Sequence, residues 1–405
     1  MTSDDKDFTT FVERWMNSSP AAENITHVSI RKKYSGKFAD LPNTLHPDLV
    51  HLLKSSGIDK LYEHQKNALA AIENGKNTLL TTGPSSGKSL TYIIPIINDL
   101  FSNRSTNALL IFPTKALAYD QFQHIQRLIT SNAPGNNNFG KLMDKIAVYD
   151  GDTPKEARSS IRKKVKVLIT NPDMLHIGIL PNHSLWENYF ESLKFIIVDE
   201  AHIYHGIFGS HVSNVIRRLK RVMLFYQTKP HFICTTATIG NPEEFIHALI
   251  EEEFLSISDD RSPQGERKFI FYNPPIIQKD LGIRASTRRE TLNIADTFFR
   301  QKAQTLIFQR SRKEVEKSFK LFKEYHSDQM NVVVAAYRSG YLANDRRNLE
   351  ERFQSGEIKI LFSTNALELG IDIGGLKCVI LSGYPGSISS TLQQIGRSGR
   401  KSTNS

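Results

Sequence analysis

Two adjacent carboxylates, Asp199 and Glu200, close the apolar run Phe195-Ile196-Ile197-Val198, and Lys88 and Ser89 close the stretch Thr82-Gly83-Pro84-Ser85-Ser86-Gly87. These residue types handle a nucleoside triphosphate. A glycine-bearing loop turns its backbone N–H groups onto phosphate, a lysine reaches the β- and γ-phosphates, and the next hydroxyl meets Mg²⁺. A strand-end aspartate holds the same ion, and a following glutamate orients water at the γ-phosphate. Taken singly, the acids also read as a buried strand running out into solvent, and the loop as a glycine-serine turn. Together, the candidates are Lys88, Asp199 and Glu200 for catalysis, Gly83, Ser86, Gly87, Lys88 and Ser89 for the nucleotide, and Ser89 and Asp199 for Mg²⁺. Thr82 stands where the strict loop pattern has its first glycine, at the start of the loop and away from the γ-phosphate.

Such groups need elements to aim them. Asn77-Thr78-Leu79-Leu80 reads as a strand before the loop and Leu90 to Leu100 as a helix after it, the context a phosphate loop requires. Upstream, Leu61-Tyr62-Glu63-His64-Gln65 places a glutamine amide for adenine beside an aromatic ring, so Tyr62 and Gln65 join the nucleotide set. Further strand-like runs end in polar loops: Pro113-Thr114-Lys115, Thr170-Asn171-Pro172 and Thr236-Ala237-Thr238. In parallel sheets that edge is where ligands bind. Thr114, Lys115, Thr170 and Asn171 suit the phosphates of a nucleic-acid strand, and the hydroxyls of Thr236-Ala237-Thr238 could link the two sites. Each loop reads equally well as an ordinary capped turn.

A second set follows. Thr305-Leu306-Ile307-Phe308 delivers Ser311 and Arg312 to a loop, and Ile358 to Phe362 delivers Ser363 and Thr364, with Asp372 nearer the nucleotide. Gln393-Gln394-Ile395-Gly396-Arg397-Ser398-Gly399-Arg400 spaces two arginines three apart, on one helix face, where guanidinium groups can meet a γ-phosphate across a cleft. A capped helix and a basic tail are the plain alternatives.

Alternating strand-like and helix-like segments over 405 residues predict an α/β chain with two consecutive parallel-sheet units. Expected bounds are an N-terminal extension over 1–44, a first unit over 45–256, a polar linker over 257–268 and a second unit over 269–405. A net charge of +10 fits a polyanionic partner. Two cysteines, Cys234 and Cys378, sit among apolar residues and exclude a disulfide framework. The first ten residues carry no apolar leader and no run is long enough to span a bilayer, so an intracellular protein without a membrane partner is expected, cytoplasmic if bacterial and nuclear if eukaryotic.

The ordered set of motifs, from about residue 45 to 401, resembles the superfamily 2 DEAD/DEAH-type helicases. Tyr149-Asp150-Gly151-Asp152-Thr153-Pro154, Gly206-Ile207-Phe208-Gly209-Ser210-His211-Val212, Tyr337-Arg338-Ser339-Gly340-Tyr341 and Gly383-Tyr384-Pro385-Gly386-Ser387 resemble the distantly RecQ-related MrfA branch. The resemblance implies two tandem RecA-like domains, ATP and Mg²⁺ as ligands, and 3′–5′ movement on single-stranded or forked DNA in repair. It places Arg397 and Arg400 at the γ-phosphate and Ser311, Arg312 and Arg338 on the strand. Family members continue into a region with a four-cysteine metal site, whereas this sequence stops at Ser405, so the second domain is expected to be incomplete. A nucleic-acid binder without productive unwinding, and a helicase acting on RNA, are the other expectations.

Overall fold

The computed structural model describes residues 3–102, 105–130, 137–326, 334–338, 340–368 and 376–399. It separates into two compact units, Lys37–Ser262 and a discontinuous one made of Met1–Gly36 with Pro263–Ser405.

The Lys37–Ser262 unit is built on a seven-stranded sheet. Its strands run, side by side, Leu255–Ile257, Thr78–Leu80, His231–Thr235, Leu193–Val198, Asn107–Ile111, Val167–Thr170 and Ile146–Val148, and every neighbouring pair is parallel. The residue types explain this. Asn107–Ile111 and Val167–Thr170 are buried at every position, as strands covered by helices on both faces must be, so they read as continuous apolar runs instead of alternating ones. Trp186, Tyr189 and Phe190 join Leu109, Leu168, Ile196 and Leu219 in one core, with Tyr149 edge-on to Trp186 at 5.0 Å between ring centroids. Because all strands point the same way, the loops after Leu80, Ile111, Thr170, Val198 and Thr235 gather on one edge.

The other unit carries a four-stranded parallel sheet in the order Val334–Tyr337, Ile360–Ser363, Thr305–Phe308 and Cys378–Leu381. Two parallel-sheet α/β units are therefore present, as expected.

Residues 1–44 and 257–268 are placed differently from expectation. Within the described residues, Ser3–Ser18 is a helix whose Phe8, Val12 and Trp15 fall on one face and pack with Phe298 and Ala303. Ile25–Arg31 pairs antiparallel with Arg267–Tyr272, so the N-terminal stretch closes the second unit instead of trailing from the first. The supposed linker is structured at both ends: Ile257 ends an edge strand of the seven-stranded sheet and Arg267 begins the strand paired with Ile25–Arg31. Local composition marked these segments as an extension and a linker, but Arg31 pairs with Arg267 and Ile257 with Leu80, partners too far along the chain for local pattern to show.

Candidate functional site

Between Thr78–Leu80 and the helix Lys88–Phe101 the chain makes a tight phosphate-loop turn. Gly87 caps the helix at φ 74°, a left-handed conformation strained for any residue with a Cβ, and a Cβ there would also collide with Gln65 Nε2. The loop is held from inside. Ser86 donates its hydroxyl to Gly83 O at 2.8 Å, which leaves the Thr82 hydroxyl to donate to Ser86 Oγ at 2.6 Å. The departure from glycine at position 82 thus supplies a bond that a glycine lacks. Lys88 Nζ lies 3.0 Å from Thr82 O, 3.3 Å from Gly83 O and 3.3 Å from Thr236 O, so its three protons are spread over three main-chain carbonyls.

Asp199 and Glu200 stand at the end of Leu193–Val198 beside this loop. Asp199 is buried; it accepts from Tyr92 Oη at 2.9 Å, from the Glu200 N–H at 3.0 Å, and from the Thr235 hydroxyl. Burial, then the neighbouring Glu200 charge, raises its pKa. Glu200 adopts φ 48°, uncommon for a residue with a side chain. Its buried Oε2 makes no hydrogen bond among the described residues and lies 3.4 Å from His202 Nδ1. That same Nδ1 accepts the Ala237 N–H at 3.2 Å. The Thr236-Ala237-Thr238 segment is therefore tied to the acids and to Lys88 through backbone groups. The expected hydroxyl link is made one residue earlier, by Thr235, because the buried Thr236 hydroxyl turns back onto Ala237 O.

Tyr62 and Gln65 do reach the loop, and the glutamine amide is bonded at both polar atoms. Its Oε1 accepts the Tyr62 N–H and its Nε2 donates to Gly87 O, each at 2.8 Å. An amide so placed latches the loop and keeps one further N–H and one further lone pair for a ligand. His64, Asp260 and Tyr92 escaped sequence reasoning. His64 Nδ1 accepts the Arg261 N–H, so Nε2 carries the proton to Ser86 O at 3.0 Å, and burial lowers its pKa. Asp260 accepts the Gly83 N–H at 3.2 Å from within the supposed linker. Only Tyr92 had a local signal, one helical turn after Lys88. Ser89 sits 3.5 Å from Gln121 Oε1.

The strand-binding candidates divide. Lys115 is exposed and pairs with Asp152 at 2.7 Å; Thr114 caps its helix by accepting the Leu117 N–H at 3.3 Å. Thr170 is fully buried and donates to Tyr149 O at 2.7 Å, and Asn171 caps the next turn through the Met174 N–H at 2.9 Å. Ser363 repeats this in the other unit, buried and donating to Thr364 O at 2.8 Å, while Thr364 caps through the Ala366 N–H at 3.4 Å. Both hydroxyls are buried and held inward by a short bond to a carbonyl. Ser311 caps Glu314 at 3.2 Å and Arg312 opens that helix exposed to solvent. Arg338 pairs with Glu316 at 2.8 Å over the Tyr341 ring. Arg397 is buried and donates to Glu368 O, and Gln394 Nε2 donates to the Glu368 carboxylate at 2.9 Å. Asp372 and Arg400 lie outside the described residues.

The chain is similar to known helicases. Residues 62–245 match the DEAD/DEAH box helicase family and residues 290–402 the helicase conserved C-terminal domain. The uncharacterized ATP-dependent helicase YprA of Bacillus subtilis is 40% identical over 94% of this chain and 50% of its own length. The ATP-dependent helicase HRQ1 of Saccharomyces cerevisiae is 36% identical over 97% of this chain and 36% of its own. A crystal structure of the DUF1998 helicase MrfA bound to DNA and AMPPNP, 39% identical, superposes with a TM-score of 0.90 over 98% of this chain and 54% of that one. The chain thus spans about half the length, or less, of these relatives.

Proposed function

Because the chain belongs to the DEAD/DEAH box helicases, we infer that it is the ATP-hydrolysing motor of a DNA helicase, moving 3′ to 5′ and serving DNA repair. The observation that carries this reading is the convergence of Lys88, Asp199 and Glu200 on one sheet edge around the left-handed Gly87. Among the described residues the Lys88 ammonium is held by neutral main-chain carbonyls, so phosphate oxygens can replace them with a stronger, charge-assisted partner. Glu200, at the same strand end, is assigned the orientation of the attacking water. Asp199 is positioned by Tyr92 and Thr235, and the Thr236 and Ala237 backbone ties the acids to the lysine.

The oxygen donors fit Mg²⁺: Ser89 stands beside Tyr92 Oη, which bonds Asp199, so the hydroxyl and the carboxylate flank one tyrosine. Bound there with the nucleotide, the ion would neutralise phosphate charge. Arg397 is assigned to the γ-phosphate charge that develops in the reaction. On the strand side, Thr114, Lys115, Asn171, Ser311, Arg312, Arg338 and Thr364 are the assigned contacts, chiefly to phosphate.

The test is ATP hydrolysis by the purified chain with and without single-stranded DNA, beside Lys88→Ala and Glu200→Gln. Strand-stimulated turnover lost in both variants is expected. Strand binding without turnover would leave a binding protein, and stimulation by RNA but not DNA would reassign the substrate.

A further inference from the structure

A cleft of about 660 Å³ opens beside Thr114, Lys115 and Asn171, on the same edge of the seven-stranded sheet. Tyr149 and Gly151 of the Tyr149–Pro154 motif also line it, and Arg158, Arg162, Ile177, Leu185 and Trp186 lie outside the motifs. One wall is cationic: Arg158 and Arg162 are one turn apart on the helix Lys155–Lys164 and so share a face. Both are held in place. Arg158 donates to Thr153 O at 3.2 Å with its guanidinium over the Tyr149 ring, and Arg162 donates to Tyr149 Oη at 3.4 Å. With Lys115 they set three cations against one lining carboxylate, Asp173.

The rest of the lining is largely apolar and irregular. After Asn171 the chain makes a widened π-helical turn, Leu175–Ile179, then a tight helical stretch broken at Asn182. Such turns are rare and tend to occur where a side chain must be re-aimed. Here the result is that Ile177 is 71% exposed and Leu185 59% exposed, both lining the cleft, while Trp186 forms its floor. Large apolar residues exposed together beside cations call for a ligand with both an anionic and an apolar part.

We propose that this cleft holds one unstacked base of a single DNA strand between the Ile177 and Leu185 side chains and the Tyr149–Arg158 face, with an adjoining phosphate on Arg162. The proposal rests on the strand-binding reading above and deepens it. Phosphate contacts alone require no apolar wall. The volume lies in the range of small-ligand sites, roughly 300–1,000 Å³, and accommodates a nucleobase. A base withdrawn from the stack would give the motor a grip on the strand that is independent of sequence, since every base has a flat apolar face.

The experiment compares binding of the full chain to oligothymidylate and to a strand of the same length made wholly of abasic sites, by fluorescence anisotropy. The wild-type chain is expected to prefer the base-bearing strand by about tenfold or more. The double change Ile177→Ser, Leu185→Ser, at solvent-exposed positions, is expected to remove most of that preference. Arg162→Ala should instead weaken both strands alike and lower the slope of log affinity against log salt by about one. A preference that survives the double serine variant, or a wild-type chain that binds both strands equally, overturns the base pocket while leaving strand binding intact. A chain that binds neither strand overturns the strand-binding reading and the pocket with it.

Discussion

The two parallel sheets end their strands in the same way and use the ends differently. In each, the residue that terminates a central strand is a buried hydroxyl bonded to a neighbouring carbonyl, Thr170 in one and Ser363 in the other, and the next residue caps the following turn. What differs is the charge brought to that edge. The seven-stranded sheet gathers Lys88, Asp199 and Glu200 around a left-handed glycine. The four-stranded sheet gathers Ser311, Arg338 and Arg397, all bound to acids or backbone within their own unit. A strand-end hydroxyl is therefore first a structural device, and function enters through the charged residues that the same edge collects.

The largest test of this contrast is chemical. Lys88→Ala or Glu200→Gln should cut ATP turnover by about a hundredfold or more, by loss of charge stabilisation or water positioning, with little change in thermal midpoint. Equal losses from Thr170→Val would erase the distinction.

Next in size is closure of the discontinuous unit. Phe298 meets Phe8, Phe11 and Trp15 within 6.1 Å between ring centroids. Phe298→Ala should cost about 3–5 kcal/mol of stability in denaturant unfolding. Removal of residues 1–18 should destabilise the same unit and leave that of Lys37–Ser262 unchanged.

The paired hydroxyls sharpen the comparison at a smaller scale. Thr170→Val and Ser363→Ala should each cost about 1–2 kcal/mol, through a carbonyl left without its donor. Neither should alter the salt dependence of strand binding, whereas Lys115→Ala should reduce that slope by about one.

The smallest effect is a pH dependence in the phosphate-loop support. Burial lowers the pKa of His64, so as pH falls below the usual value of about 6.5 the unfolded chain binds the proton first. Stability contributed here is complete above that pH and declines below it, down to the folded pKa. His64→Gln should flatten the decline relative to wild type between about pH 7 and 5; an unchanged slope would show that the ring titrates freely when folded.

Much of the seven-stranded sheet was legible in the sequence because burial on both faces writes itself as short apolar runs, and the phosphate loop because glycine adopts φ 74° at position 87 without strain. The strand order, the pairing of Ile25–Arg31 with Arg267–Tyr272, and the return of Asp260 onto Gly83 were not legible. Nor were the inward turn of Thr170 and Ser363 or the bonds that occupy Gln65. A hydroxyl or an amide can donate to backbone or to ligand with the same atoms, and local sequence does not distinguish the two. Residue type and spacing determined which chemistry this chain can perform, since charge, acidity and glycine's backbone freedom belong to the residues themselves. Which of those groups are held by neighbours and which face a cleft was decided only by contacts between segments far apart in the chain.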